Sequence, residues 1–216
     1  MITVATTPIV CCIKTGDKYG PEYVNKLAAQ VARFASQPYR FLCLTDNAKG
    51  VHCKTKSISF DDLDLPGWWN KLRLFAPHPA LKSEQVIFLD LDVVIVRSID
   101  WLLTYKGTLG LQLDPWGESY SSAVMSFQPG KFTQVWDLFQ SQPEAIMKNY
   151  YGDQDWLTAV LKTSNYPIDL WPRRYEIGSY KANGLEGGPG DFSIILFHGQ
   201  PKPADFTSGW VVDAWQ

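Results

Sequence analysis

The run Val86-Ile87-Phe88-Leu89-Asp90-Leu91-Asp92-Val93-Val94-Ile95-Val96 sets two carboxylates in an otherwise apolar stretch. That placement is costly, because an ionised carboxylate taken out of water loses roughly several kcal/mol even after relaxation. On a strand, residues two apart leave by the same face, so Asp90 and Asp92 are expected side by side. Two like charges that close repel, and one protonates unless something compensates them. A bound divalent cation is the simplest compensation, and hard oxygen ligands suit manganese or magnesium. The plainer alternative is a strand end whose two acids cap it or pair with Lys71, Arg73 or Arg97. The run reads as a buried strand, and ligands of open α/β sheets bind at the carboxyl ends of such strands.

Working outward, strand-like and helical patterns alternate. Thr3 to Ile13 is apolar and β-branched. Pro21 opens a helical repeat through about Ala35, carried by Val24, Leu27, Ala28, Val31 and Phe34. Arg40 to Thr45 reads as a second strand and Cys53 to Ile58 as a third. Trp68 to Phe75 reads as a helix, ended by Pro77-His78-Pro79. Val86 to Leu91 is the expected central strand. Leu109 to Leu113, Ala123 to Phe127 and Ile194 to Phe197 follow as strands, with helices over Phe132 to Gln140 and Asp153 to Lys162. This alternation predicts an α/β fold with a parallel core early and antiparallel additions later. The glycine-rich stretch Gly178 to Gly190 reads as a functional lid or a surface excursion.

The bulk numbers exclude several classes. The chain has 216 residues, 45% hydrophobic and 19% charged, the balance of an ordinary globular protein. A net charge of -2 offers no field for nucleic acid, and no basic stripe is present. Four cysteines lack metal-site spacing, and Cys11 and Cys12, adjacent in a strand, point to opposite faces. Buried free thiols and the lack of a signal-peptide pattern suggest a cytoplasmic protein. No stretch approaches the roughly 20 apolar residues of a membrane span. No G-x-S-x-G elbow marks a serine hydrolase. The 9 tryptophans are many. Most such rings pack in cores, but some line sugar clefts, and Trp116, Tyr120, Trp171, Tyr175 and Tyr180 are candidates.

Ordered segments around the acidic run resemble one family. Asn70-Lys71-Leu72-Arg73-Leu74-Phe75 precedes it and Ile99-Asp100-Trp101-Leu102 follows. Ser121-Ser122-Ala123-Val124-Met125-Ser126-Phe127, Gly152-Asp153-Gln154-Asp155-Trp156-Leu157 and Phe197-His198-Gly199-Gln200-Pro201-Lys202-Pro203 come next. Their kind and order resemble the GT-A glycosyltransferases of family eight, the glycogenin- and galactosyltransferase-like branch. The chain departs from the family pattern in places. Ile13 to Tyr19 lacks the acidic pair that meets the base, Ser121 and Ala123 stand where the family has Asn and Gly, and Ala204 stands where a Trp closes the last motif.

The resemblance implies a GT-A, Rossmann-like, mainly parallel sheet in one domain over 1–216. The nucleotide half would run to about residue 100 and the donor-sugar and acceptor half from about 101. It implies sugar transfer from a nucleotide-diphosphate sugar, UDP-linked, to a glycan, lipid or protein acceptor, with retention of configuration. Asp90, Asp92 and His198 would hold Mn2+ or Mg2+, with Asp90 able instead to hold ribose hydroxyls. A lone His is otherwise more often simply satisfied by a hydrogen bond. Lys202 would hold the departing phosphate, and Lys71 the phosphates or base. Thr6, Lys14, Tyr19, Ser122 and Asp153 would complete the nucleotide and donor contacts. Gln154 and Asp155 would face the donor sugar and reacting carbon, with Asp153 expected as the helix cap. An inverting enzyme would instead need a carboxylate base, available in Asp114, Glu118 or Asp191. Two other readings compete. A sugar-nucleotide nucleotidyltransferase would use a phosphate loop near Lys14-Thr15-Gly16, and a non-catalytic sugar-binding relative would tolerate loss of Asp92.

Overall fold

The computed structural model describes residues 7–57, 65–83, 85–171 and 176–216. In chain order the strands and helices begin with β1 (Ile9–Lys14), α1 (Pro21–Phe34), β2 (Arg40–Thr45) and β3 (Thr55–Ser57). A 3₁₀ segment, Gly67–Phe75, precedes β4 (Val86–Leu89), β5 (Val93–Ile95), α2 (Asp100–Leu103), β6 (Leu109–Leu113) and β7 (Tyr120–Phe127). Three helices follow, α3 (Thr133–Ser141), α4 (Pro143–Asn149) and α5 (Asp153–Thr163). The chain closes with β8 (Asp169–Leu170), β9 (Ile177–Ser179), β10 (Ile194–Leu196) and α6 (Trp210–Ala214).

A seven-stranded sheet runs β3-β2-β1-β4-β7-β6-β8. β3, β2, β1 and β4 are mutually parallel, β7 runs antiparallel to β4 and β6, and β8 is parallel to β6. Strand alternation divides the core. Val10, Cys12, Ile87 and Leu89 pack with Val24, Leu27 and Val31 of α1 on one face. Ile9, Cys11, Val86 and Phe88 pack with Leu72, Phe139 and Leu157 on the other. Cys11 and Cys12 thus take opposite faces, as their adjacency requires, and all four cysteines are free. α1 begins with Pro21, whose fixed φ suits the first helical position. The short α2 is tied to the end of α1 by Asp100, whose carboxylate accepts from Ser36 Oγ (2.5 Å) and from the N–H groups of Ser36 (2.8 Å) and Gln37 (3.2 Å). These bonds, Ser36 Oγ first, hold the Asp100 carboxyl below its usual range.

The central strand corrects the sequence expectation. It ends at Leu89, not Leu91. Asp90 N–H still donates to Ala123 O at 2.8 Å, and then a turn closes with Val93 N–H on Asp90 O at 3.4 Å. Beyond it β5 joins a second sheet, antiparallel to β10, which is parallel to β9. The apolar run is continuous because both strands are buried, not because they are one strand. Asp90 and Asp92 therefore flank a change of sheet, and the turn, not the pleat, brings them into one cleft.

Other differences are smaller. Trp68 to Phe75 is 3₁₀ rather than α-helical, and α4, β8 and β9 have no counterpart in the sequence reading. The Gly178 to Gly190 stretch runs over the surface, with Lys181 to Gly184 exposed, but is anchored at two residues. Tyr180 and Leu185 are buried, Trp210 Nε1 donates to Leu185 O at 2.8 Å, and Asn183 Oδ1 accepts from Ser179 N–H at 2.8 Å. Its apolar residues fasten it to α6. Among the described residues no helix is long and apolar enough to cross a membrane.

Gln30 locks the helix to the second sheet. It is fully buried on α1, and its Oε1 accepts from Ile95 N–H at 2.7 Å while Nε2 donates to Lys26 O at 3.2 Å. Gln30→Leu should orphan the Ile95 N–H and cost about 2 kcal/mol, measured by urea unfolding.

Candidate active site

A cleft of about 640 Å³ opens at the carboxyl ends of β1 and β4. Five elements contribute to it: the β1–α1 loop (Thr15, Lys18, Tyr19), the 3₁₀ segment (Trp68, Lys71), the acidic turn (Asp90, Asp92), the start of α5 (Asp153, Gln154, Asp155) and the segment after β10 (His198, Gln200, Lys202). Asp114 and Ser122 add the rims of β6 and β7.

Two lysines neutralise the acidic turn. Lys71 Nζ donates to Asp90 Oδ2 at 2.8 Å and to Ser122 Oγ at 3.2 Å, and lies 3.9 Å from Asp153 Oδ2. Burial alone would lower the Lys71 ammonium, but Asp153 and Asp90 together hold it above the ordinary lysine value. Asp90 is pushed up to about 7, first by burial, with Lys71 drawing it back and Asp92 adding to the rise. Asp92 accepts from Tyr19 Oη at 2.8 Å and is ion-paired to Lys202 Nζ, which also donates to Phe197 O at 2.8 Å. Burial, and then the Asp92 carboxylate, hold the Tyr19 phenol above its usual value. The pairing of Asp90 with Lys71 is the plainer alternative raised from the sequence. Arg97 instead lies 3.7 Å from the exposed Asp191, and Arg73 Nε donates to Asn70 Oδ1 at 3.3 Å.

His198 has a different character. Its Nε2 is buried without a hydrogen-bond partner. Burial, with Lys202 and Lys71 behind it, lowers its pKa against the pull of Asp114 and Asp92, which favours the neutral ring. A neutral imidazole with a free nitrogen beside two carboxylates has the donor chemistry of a divalent-cation site. The residues present therefore fit such an ion, although no three His, Cys, Asp or Glu among the described residues already stand grouped as ligands.

The α5 start departs from expectation in one respect. The N-cap is Gly152 without a side-chain cap bond, so Asp153 is not the cap. Its buried carboxylate faces Lys71 instead. Gln154 spans the cleft wall, donating to Asp114 Oδ2 at 3.1 Å while its Oε1 accepts from Ser122 N–H at 3.4 Å. Asp155 Oδ1 accepts from Ser119 Oγ at 3.5 Å. Of the bases an inverting enzyme would need, Asp114 lines the cleft, whereas Asp191 is exposed beside Arg97.

Lys14 is not among the lining residues. It is buried, its ammonium donates to Gly16 O at 3.3 Å, and by strand alternation it shares the face of Val10 and Cys12. Thr6 and Tyr175 lie outside the described residues. Trp171 and Tyr180 are core residues, and Trp116 is exposed. The sequence reading missed Thr15, Lys18, Trp68, Tyr151 and Gln200 as cleft residues. Alternation past Ile13 would have found Thr15, and Tyr151 stands two residues before Asp153. Asn70, also missed, clasps the 3₁₀ segment to β1. It donates to Leu65 O (2.7 Å), Gly67 O (3.1 Å) and Thr15 Oγ1 (3.3 Å).

Solved structures share this architecture. The galactosyltransferase LgtC, in complex with donor and acceptor sugar analogues, superposes with a TM-score of 0.66 over 90% of this chain and 88% of its own, at 14% identity. The chain has a GT-A glycosyltransferase fold. An LgtC variant with an active-site glutamine changed to glutamate matches equally, at 14% identity, TM-score 0.66 and 95% and 93% coverage. The glycosyltransferase GlyE of Streptococcus pneumoniae TIGR4 gives 0.67 at 12% identity, over 96% of this chain and 60% of its own. No protein-family model and no curated protein matches the sequence. In this GT-A fold the acidic turn closes the parallel half of the sheet, and β7 and α5 build the opposite wall.

Lys71 holds two of the cleft's carboxylates. Lys71→Met should cost about 3 kcal/mol in urea unfolding by leaving buried charges unpaired. Adding Asp90→Asn and Asp153→Asn should recover part of that loss.

Proposed function

We propose that the chain transfers a sugar from a nucleotide-diphosphate sugar, UDP-linked, to an acceptor, with Mn2+ or Mg2+ bound at Asp90, Asp92 and His198. The observation that carries this reading is the acidic turn beside an unpartnered neutral imidazole, at the carboxyl end of the parallel strands of a GT-A fold. The charge balance agrees. Asp90, Asp92, Asp114, Asp153 and Asp155 line the cleft against only Lys18, Lys71 and Lys202. The cleft is therefore net acidic, which favours a bound cation.

Held by Asp90, Asp92 and His198, such an ion would supply Lewis-acid stabilisation of the leaving group. The remaining work belongs to the chain. Lys202 and Lys71 offer ammonium groups to the phosphate oxygens as point charges. Asp153 keeps Lys71 charged in a buried place. Ser122 and the Gln154 amide present donors and acceptors at the height of the donor sugar. Asp155 and Gln154 face the reacting carbon. The bond from the anomeric carbon to the diphosphate oxygen breaks, a bond from that carbon to the acceptor oxygen forms, and the acceptor's proton leaves with the nucleoside diphosphate. Retention rests on the resemblance to the family-eight branch.

The position of Lys14 weighs against the nucleotidyltransferase, which would need that ammonium in the cleft. A sugar-binding relative without catalysis would keep the same two lysine–aspartate pairs, and a manganese titration separates it from the enzyme.

Manganese with UDP, at a hundredfold excess over Kd, should raise the melting temperature by about 5–10 °C. Asp92→Asn should abolish the manganese dependence. A shift that ignores manganese would reject the metal. Asp155→Asn should lower turnover about a hundredfold or more while UDP affinity stays within about threefold. NMR of the product anomer should find an α linkage from an α donor, and a β linkage would reject retention.

A further inference from the structure

Two rings at the mouth of the cleft have no part in the donor chemistry. Trp68 is 42% exposed and Tyr151 85% exposed, and both line the cleft. They stack on each other, with ring centres 5.9 Å apart and planes at 26°. Large aromatic faces left in water forgo burial that folding would otherwise reward, and apolar patches of this kind mark contact sites.

The pair is held in place from below. Trp68 lies over the backbone of Gly152, where a Cβ would meet the indole Nε1 at 2.8 Å. Lys18 Nζ stands 5.7 Å from the indole centre, at cation–π distance. Trp69, the next residue, is buried and stacked on Phe139 at 5.5 Å and 15°, which anchors the segment in the core. Tyr151 and Gly152 lead directly into α5, so the rings adjoin the helix start that carries Gln154 and Asp155.

That juxtaposition has a chemical meaning. A flat apolar surface is bordered by carboxylates and an amide that bind hydroxyl groups. A pyranose ring matches it, with C–H groups on its face and hydroxyls at its edge. A lipid chain offers nothing to Asp114, Gln154 and Asp155, which line the cleft alongside the apolar Phe88, Leu91 and Leu196. We infer that Trp68 and Tyr151 form the acceptor platform of this cleft, and that the acceptor is a glycan presenting a pyranose ring rather than a lipid alcohol or a protein side chain. This rests on the glycosyltransferase reading above and specifies its acceptor class.

Saturation-transfer NMR with manganese and UDP present tests it. The probes are methyl β-glucoside, methyl β-galactoside, methyl α-mannoside and methyl β-N-acetylglucosaminide. The ring protons of at least one should be saturated by the wild-type protein. Tyr151→Ala, at a largely exposed position that a folded chain tolerates, and Trp68→Leu should each weaken that binding about tenfold or more, about 1.4 kcal/mol. Both variants should keep the manganese-dependent UDP thermal shift. Unchanged glycoside affinity in both variants, or no glycoside contact in the wild type, overturns the platform. Loss of the UDP shift in the variants assigns the rings to the nucleobase and likewise overturns it. A wild type that binds glycosides through these rings but never responds to UDP retains the platform and sinks the donor reading, so the two failures are distinct.

Discussion

The cleft depends on how a half-buried lysine is held among carboxylates. Lys71 faces Asp90, Asp153 and the Ser122 hydroxyl at once. Without it, Asp90 and Asp153 would stand buried with no cation between them, and burial already drives Asp90 toward protonation. The lysine is aimed by packing rather than by its own contacts. Trp69 and Leu72 on either side are buried against the α3 and α5 layer, and Asn70 fixes the turn to Leu65, Gly67 and Thr15. Hydrophobic burial of the neighbours thus fixes where the charge points.

Asp92 is secured from the other side of the molecule. Tyr19 donates to it, Tyr19 packs on Tyr23 at 4.7 Å, and Tyr23 packs edge-on against Trp215 at 4.9 Å. Lys26 closes the chain, with Nζ bonded to Trp215 O at 3.1 Å and 3.7 Å from the ring centre. The C-terminal residues therefore brace a carboxylate of the cleft through the first helix. The change of sheet at Asp90–Asp92 makes this possible, because it turns the second carboxylate away from β4 and toward the segment after β10.

How much of this was legible in the sequence follows from the range of the interactions. α1, β2, β6 and α5 were readable because period 3.6 and alternation are local signals. The second sheet was not, because β5, β9 and β10 have only three residues each and β5 is defined by its pairing with β10, about 100 positions away. The acids were legible as a pair sharing one cleft, since charge in an apolar run is anomalous wherever it occurs. Their geometry was not, since a strand and a strand-turn-strand have the same apolar composition when both strands are buried. Lys14 was misplaced by its chemistry, although alternation from Val10 and Cys12 puts it on the α1 face. The stacking of Trp68 on Tyr151 joins two loops that no local pattern connects.

Lys202 gives the polar side of the cleft its economy. In the free protein its ammonium pairs with Asp92, so the carboxylate is never left buried and bare. Under the proposed function Asp92 would be a ligand of the divalent ion, and the Lys202 ammonium would then be free for a diphosphate oxygen. The same ammonium would serve two partners in turn. A neutral residue at 202 would leave Asp92 uncompensated before the donor binds and the phosphates short of a cation afterward. That double use explains why a lysine, compact and flexible on its stem, suits the position better than the rigid fork of an arginine.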